Sequence, residues 1–116
     1  PEGARVATGS LRRRSQLLSY RPDLKIEEIR GNVPTRIRKF EESDLDGMIL
    51  AYAGVHRLGL DEHISQIIPF DVMLPAVGQG VMAIEVRDGD RDAAELMAKM
   101  DHAATHTCIT AERAFL

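Results

Sequence analysis

The sequence predicts an α/β fold, a mostly parallel sheet with flanking helices, and three observations predict it. Short apolar runs at residues 4–8, 24–29 and 46–53 are each followed by a turn and then by a helical pattern, the alternation of a parallel sheet. The turns are built from residues that break strands and start helices: Thr8-Gly9-Ser10, Gly31-Asn32 and Gly54. Each of these strand ends also carries arginine: Arg12 and Arg13, Arg30 and Arg36, and Arg57. In an open α/β sheet ligands bind at the carboxyl ends of the strands, so these arginines are expected to converge.

Residues 4–8 read as a buried strand and 10–20 as an amphipathic helix (Leu11, Leu17, Leu18) ended by Arg21-Pro22-Asp23, since proline disfavours helix at the residue before it. Leu24–Ile29 alternates apolar and polar residues as a second strand. Pro34 suits the start of the next helix, on which Val33, Ile37 and Phe40 form one stripe. Asp46–Ala53 is the most apolar run of this half and is expected to be a central strand, leading into a loop or short helix at 53–59. Ile64–Phe70 is a further short apolar segment. Leu74–Gly80 leads into an apolar strand at Val81–Arg87, and its Gly78-Gln79-Gly80 turn either cradles a ligand or marks a strand crossing between domains where backbones pass closely. Helices are expected over 91–100 and from Thr107 onward. The chain starts at proline and stops within that last helical pattern, which reads as a piece of a longer protein.

The net charge of -3 hides an asymmetry. Residues 1–40 hold ten Lys/Arg against four acids, a net +6, and the remainder holds five against fourteen, a net -9. The basic part is dominated by arginine, whose rigid fork binds carboxylates and phosphates bidentately. A nucleic-acid partner is disfavoured because only Tyr20 and Phe40 interleave the basic residues, so stacking platforms are missing. No apolar run approaches the roughly 20 residues of a membrane span and no signal-peptide pattern is present, so the expectation is a soluble, cytoplasmic protein without a membrane partner. The single Cys108 fits a reducing compartment and reads as a small buried apolar residue. His102 and His106 lack the carboxylate or thiol set of a metal site, so no metal is expected, and His56 and His63 read as surface residues.

The turn at Thr8-Gly9-Ser10 carries the sharpest signal. The helix start behind it bears roughly half a positive charge, Thr8 and Ser10 offer hydroxyls, and Gly9 lets a backbone come close. Arg12 and Arg13 fall in the first helical turn, where the dipole disfavours each by about 0.3–1 kcal/mol. An anion at the turn would offset that cost.

Five motifs then stand in the order and approximate spacing of one family: Thr8-Gly9-Ser10-Leu11-Arg12-Arg13, Arg30-Gly31-Asn32-Val33-Pro34-Thr35-Arg36, Ile49–Gly59, Leu74–Gly80 and Ala111-Glu112-Arg113-Ala114. The chain resembles porphobilinogen deaminases (hydroxymethylbilane synthases) over nearly its whole length. Ala7 stands where the family usually has Gly, and Gly9 where it usually has Ser.

The resemblance implies a tetrapyrrole (heme) biosynthesis transferase that joins four porphobilinogen units, with release of ammonia, on a covalently bound dipyrromethane cofactor. It implies domains resembling type II periplasmic binding proteins, with 1–73 as the second domain, 74–88 as the strand returning to the first and 89–116 as the start of the third. By position, Thr8, Ser10, Arg12, Arg13, Arg30, Gly31 and Gln79 resemble cofactor binders, and Arg30, Arg36 and Arg57 binders of substrate carboxylates. The catalytic aspartate and the cofactor-bearing cysteine lie outside the chain, so Cys108 is not the attachment site, no catalytic residue is expected here and the chain alone is expected to be inactive. The full-length protein is expected to be a monomer, with self-association of the shorter chain left open. The competing reading is a non-catalytic anion- or ligand-binding domain of periplasmic-binding type.

Overall fold

The sheet begins at β1 (Arg5–Ala7), which pairs in parallel with β2 (Lys25–Glu27) on one side and β3 (Gly47–Met48) on the other, in the order β2-β1-β3. Val6 lies between Ile26 and Gly47, and Ala7 between Glu27 and Met48. The computed structural model describes residues 1–116 and divides them into two units, Pro1–Ala76 and Val77–Leu116. The α/β class expected from the sequence is thus present as a small parallel sheet, and all of it lies in the first unit.

Helix α1 (Leu11–Tyr20) connects β1 to β2, and α2 (Val33–Glu41) connects β2 to β3. Both starts are set by local chemistry: Ser10 Oγ accepts from the Arg13 N–H, and Asn32 Oδ1 accepts from the Thr35 N–H, with Pro34 in the first turn. Leu17 and Ile37 place one buried side chain from each helix in a core that also holds Ala4, Ala7, Ile29, Val55 and Met73. Ala7 is completely buried at the middle of the sheet. A short α3 (Tyr52–His56) follows β3, then a 3-10 turn at Asp61–His63 and an irregular stretch to residue 76.

The expectation of a long central strand at 46–53 is corrected. Only Gly47–Met48 forms the strand, and it lies at an edge because β1 is the strand paired on both sides. Beyond a last ladder bond from the Ile49 N–H to the Ala7 carbonyl (3.0 Å), the chain turns into α3.

In the second unit, α4 (Arg91–Ala98) is capped by Asp90 and α5 (Ala103–Ala114) by His102. The strand expected at 81–87 is not formed: these residues are exposed and irregular, because an extended segment needs a neighbouring strand to accept its ladder hydrogen bonds and this unit contains none. Cys108 is exposed, not buried. The half-covered stripe of α5 runs through Thr105 and Ile109, four residues apart, and Cys108 points about 100° away from Ile109 around the helix. No helix is long and apolar enough to cross a membrane.

An ion pair ties the N-terminus to the α1–β2 turn. Asp23 accepts from Arg21 Nε and Nη2, both at 2.6 Å, and from the Gly3 N–H at 2.9 Å. The guanidinium, followed by the Gly3 amide, holds the Asp23 carboxyl well below the usual carboxylate range. A carboxylate with a depressed folded pKa stabilises fully above its unfolded value, 3.8 here, and loses that contribution as pH falls through the folded value. Asp23→Asn should therefore lower the melting temperature near neutrality, and the gap to the parent protein should hold down to about pH 4 and then narrow progressively from about pH 4 to pH 2. A gap that stays constant over that range would show that the charge of Asp23 plays no part.

Candidate anion-binding site

Because the strands are parallel, their carboxyl ends at Ala7, Glu27 and Met48 share one edge, where the chain makes three turns: Thr8–Ser10, Glu28–Asn32 and Ile49–Ala51. In the first turn the Thr8 N–H donates to the Glu27 carbonyl at 2.8 Å, and its buried Oγ1 accepts from the Ser10 N–H at 3.3 Å. The Thr8 and Ser10 hydroxyls thus shape the turn and cap α1. A Cβ at Gly9 would stand 3.0 Å from the Ile29 carbonyl oxygen, so glycine lets the first turn pass close to the second.

Arg13 is the unusual residue of this edge. The residue is only 8% exposed, and its Nη1 donates to the Ile49 carbonyl at 3.3 Å. Burial pushes its pKa down, and the positive charges of Arg12 and Arg36 push the same way. Three arginines from two helix starts therefore lie within electrostatic reach of one another. None of them is ion-paired, in contrast to Arg5, Arg21, Arg30 and Arg38, which each meet a carboxylate. Neither α1 nor α2 has an acid in its first turn to offset the dipole.

Neutral backbone acceptors hold the other two guanidinium groups. Arg12 Nη1 donates to the Leu74 carbonyl, and Arg36 Nε donates to the Gly31 carbonyl at 2.6 Å. Gly31 takes φ +134°, a conformation closed to other residues without strain. Carbonyls orient a cation without neutralising it, so the site keeps its charge.

The remaining expected site residues are placed differently. Arg30 is exposed and folds back on Glu28, with Nε and Nη2 at 2.9 and 2.6 Å from one carboxylate oxygen. Such an exposed pair is worth about 0–1 kcal/mol, so it is easily exchanged. Arg57 caps the far end of α3 and is exposed, and Gln79 is exposed in the second unit's Gly78–Gly80 turn. The histidines have local partners: His56 stacks on Tyr52 and meets Asp61 Oδ1 at 2.8 Å, His63 lies 3.3 Å from Glu41, His102 caps α5, and His106 meets Asp101 at 3.0 Å.

Sequence reasoning passed over Gln16 and Lys39. Gln16 Oε1 accepts from the Leu74 N–H at 2.7 Å and its Nε2 donates to the Leu74 carbonyl at 3.2 Å, while Lys39 Nζ donates to the Arg30 carbonyl at 3.0 Å. The available signal for Gln16 was its spacing of four from Arg12, which puts both on one face of α1.

A parallel sheet whose carboxyl edge gathers arginines without acidic partners has the geometry of an anion-binding α/β domain. Residues 1–95 match the family model described as porphobilinogen deaminase, dipyromethane cofactor binding domain. The chain is 56% identical over all 116 residues to the porphobilinogen deaminase of Carboxydothermus hydrogenoformans, 55% to that of Chloroherpeton thalassium and 53% to that of Pelotomaculum thermopropionicum. It belongs to the porphobilinogen deaminase family. It spans about 37% of the length of these relatives.

Proposed function

We propose that this chain is the part of a porphobilinogen deaminase that holds the carboxylates of the dipyrromethane cofactor and of the growing pyrrole chain. The observation that carries this reading is Arg13, nearly buried and beside two other arginines with no carboxylate to compensate any of them. A fold maintains such a like-charge cluster at a cost, and a multiply carboxylated ligand removes that cost through charge-assisted hydrogen bonds. The residues of the first unit therefore fit the group: Arg12, Arg13 and Arg36 as carboxylate binders at the centre, Arg30 after exchange of Glu28, and Arg57 as an outlying contact, while Gln79 is proposed as a cofactor contact on its sequence position in the family alone. Thr8, Ser10 and Gly31 shape the turns that aim the arginines. When bound, dipyrromethane supplies the covalent anchor on which four porphobilinogen units are joined with release of ammonia.

The same reading takes residues 1–73 as the second domain of the intact enzyme, similar to type II periplasmic binding proteins, 74–88 as a strand of the first domain and 89–116 as the start of the third. Pairing with that first domain would supply the ladder partners that 81–87 lacks. The whole enzyme is then a cytoplasmic monomer acting on a small molecule, with its catalytic aspartate and cofactor cysteine outside this chain.

Lysine substitutions test the carboxylate-binding role. Arg30→Lys and Arg36→Lys keep the charge but lose the fork, so each should remove about 1.5–3 kcal/mol from cofactor assembly or chain elongation while the melting temperature barely changes. Cofactor content by intact mass, turnover and melting temperature are measured together on the full-length protein. Normal turnover with the cofactor in place would refute the role.

A further inference from the structure

Gln16 makes a contact that the carboxylate-binding site does not by itself require. Its side-chain amide grips both main-chain groups of Leu74, accepting from the N–H at 2.7 Å and donating to the carbonyl at 3.2 Å, in the manner of a neighbouring strand. The Leu74 carbonyl is also the acceptor of Arg12 Nη1. Gln16 Nε2 further reaches the Arg12 carbonyl, one helical turn back, at 3.4 Å. Leu74 lies in the irregular stretch between the 3-10 turn and the end of the first unit, where no ladder or helix holds its backbone. Its side chain is exposed, so packing does not fix it either. The Gln16 amide and the buried neighbour Met73 are what place the carbonyl that Arg12 uses.

We propose that Gln16 is a positioning residue for ligand binding: it immobilises the Leu74 peptide, and the Leu74 carbonyl in turn sets the direction of the Arg12 guanidinium toward the ligand carboxylates. This rests on the carboxylate-binding reading of the site. Without the clamp, Leu74 leaves α1 and Arg12 loses its acceptor. A long, unanchored side chain then has to be ordered by the ligand, which weakens binding without touching the chemical step.

The test uses the full-length enzyme and reads KM and kcat for porphobilinogen in Gln16→Met, Arg12→Met, Arg13→Met and the Arg12/Gln16 double variant. Methionine keeps length and helix propensity but has neither an amide donor nor an amide acceptor. Gln16→Met should raise KM about tenfold and leave kcat within about twofold, the pattern of lost uniform binding. Added to Arg12→Met it should change KM by less than about twofold, because its effect passes through Arg12. Effects that multiply in the double variant would reduce Gln16 to a structural role and overturn the proposal.

Gln16→Glu guards against simple misfolding. It keeps the acceptor for the Leu74 N–H but offers Arg12 a carboxylate inside the chain, so KM should rise further while the melting temperature stays near that of the parent. An unchanged KM in Gln16→Met and Gln16→Glu, with a raised KM in Arg13→Met, would refute the positioning role alone. An unchanged KM in Arg13→Met would refute the underlying carboxylate site as well.

Discussion

Arg13→Met in the full-length enzyme is expected to lose most ligand binding while leaving the fold as stable as before. The two effects separate because Arg13 makes one long hydrogen bond within the chain, to the Ile49 carbonyl at 3.3 Å, and no ion pair. Burial and the neighbouring Arg12 and Arg36 already act against its charge. Methionine removes one weak bond together with a desolvation and repulsion cost, and exchanges of this kind are often neutral or favourable to stability. Binding has no such compensation. A carboxylate that loses a buried cationic partner forfeits about 2–5 kcal/mol, a loss of roughly 30- to 4000-fold in affinity. Cofactor occupancy by intact mass, KM for porphobilinogen and melting temperature are the three readouts. A large drop in melting temperature with normal occupancy would mean that Arg13 serves the fold.

Gly31→Ala should have the largest effect on stability of any single methyl group added at this edge. Gly31 has φ +134°, and a Cβ there would meet Thr35 Cγ2 at 2.8 Å and Thr35 Cβ at 3.0 Å. Backbone strain of this type costs about 1–3 kcal/mol, and the clash adds to it. The damage should reach the site, because the Gly31 carbonyl is the acceptor that orients Arg36. Chemical denaturation of the full-length protein should show the loss directly, accompanied by a raised KM. Thr35→Ala placed in the same background should recover only part of it, since the φ and the 3.0 Å contact remain. Full recovery would show that the clash alone matters, and no loss at all would show that the loop relaxes freely.

Most of what is local could be read in advance. The β1 and β2 strands, the caps at Ser10 and Asn32, the stop at Arg21-Pro22 and the placing of Arg12, Arg13 and Arg36 in or just beyond first helical turns all depend on neighbours within a few residues. The expectation failed where partners are distant. The apolar content of 46–53 suggested a long central strand, yet hydropathy does not say which strand has two neighbours. The run at 81–87 has strand composition and no strand to pair with in its unit.

Capping chemistry, periodicity and ordered motifs are written in short stretches, which is why the α/β class, the order of turns and helix starts along the first 57 residues, and the family are legible in the amino-acid order alone. Which arginine is buried, which ones share charge, and which is answered by a carboxylate depend on contacts across the fold. Arg13 meets a carbonyl 36 residues away, Arg12 one 62 residues away, and Arg30 a glutamate two residues before it. Desolvation and like-charge repulsion depend on distances through space, and chain separation does not set those distances until the parallel sheet brings its three carboxyl ends to one edge.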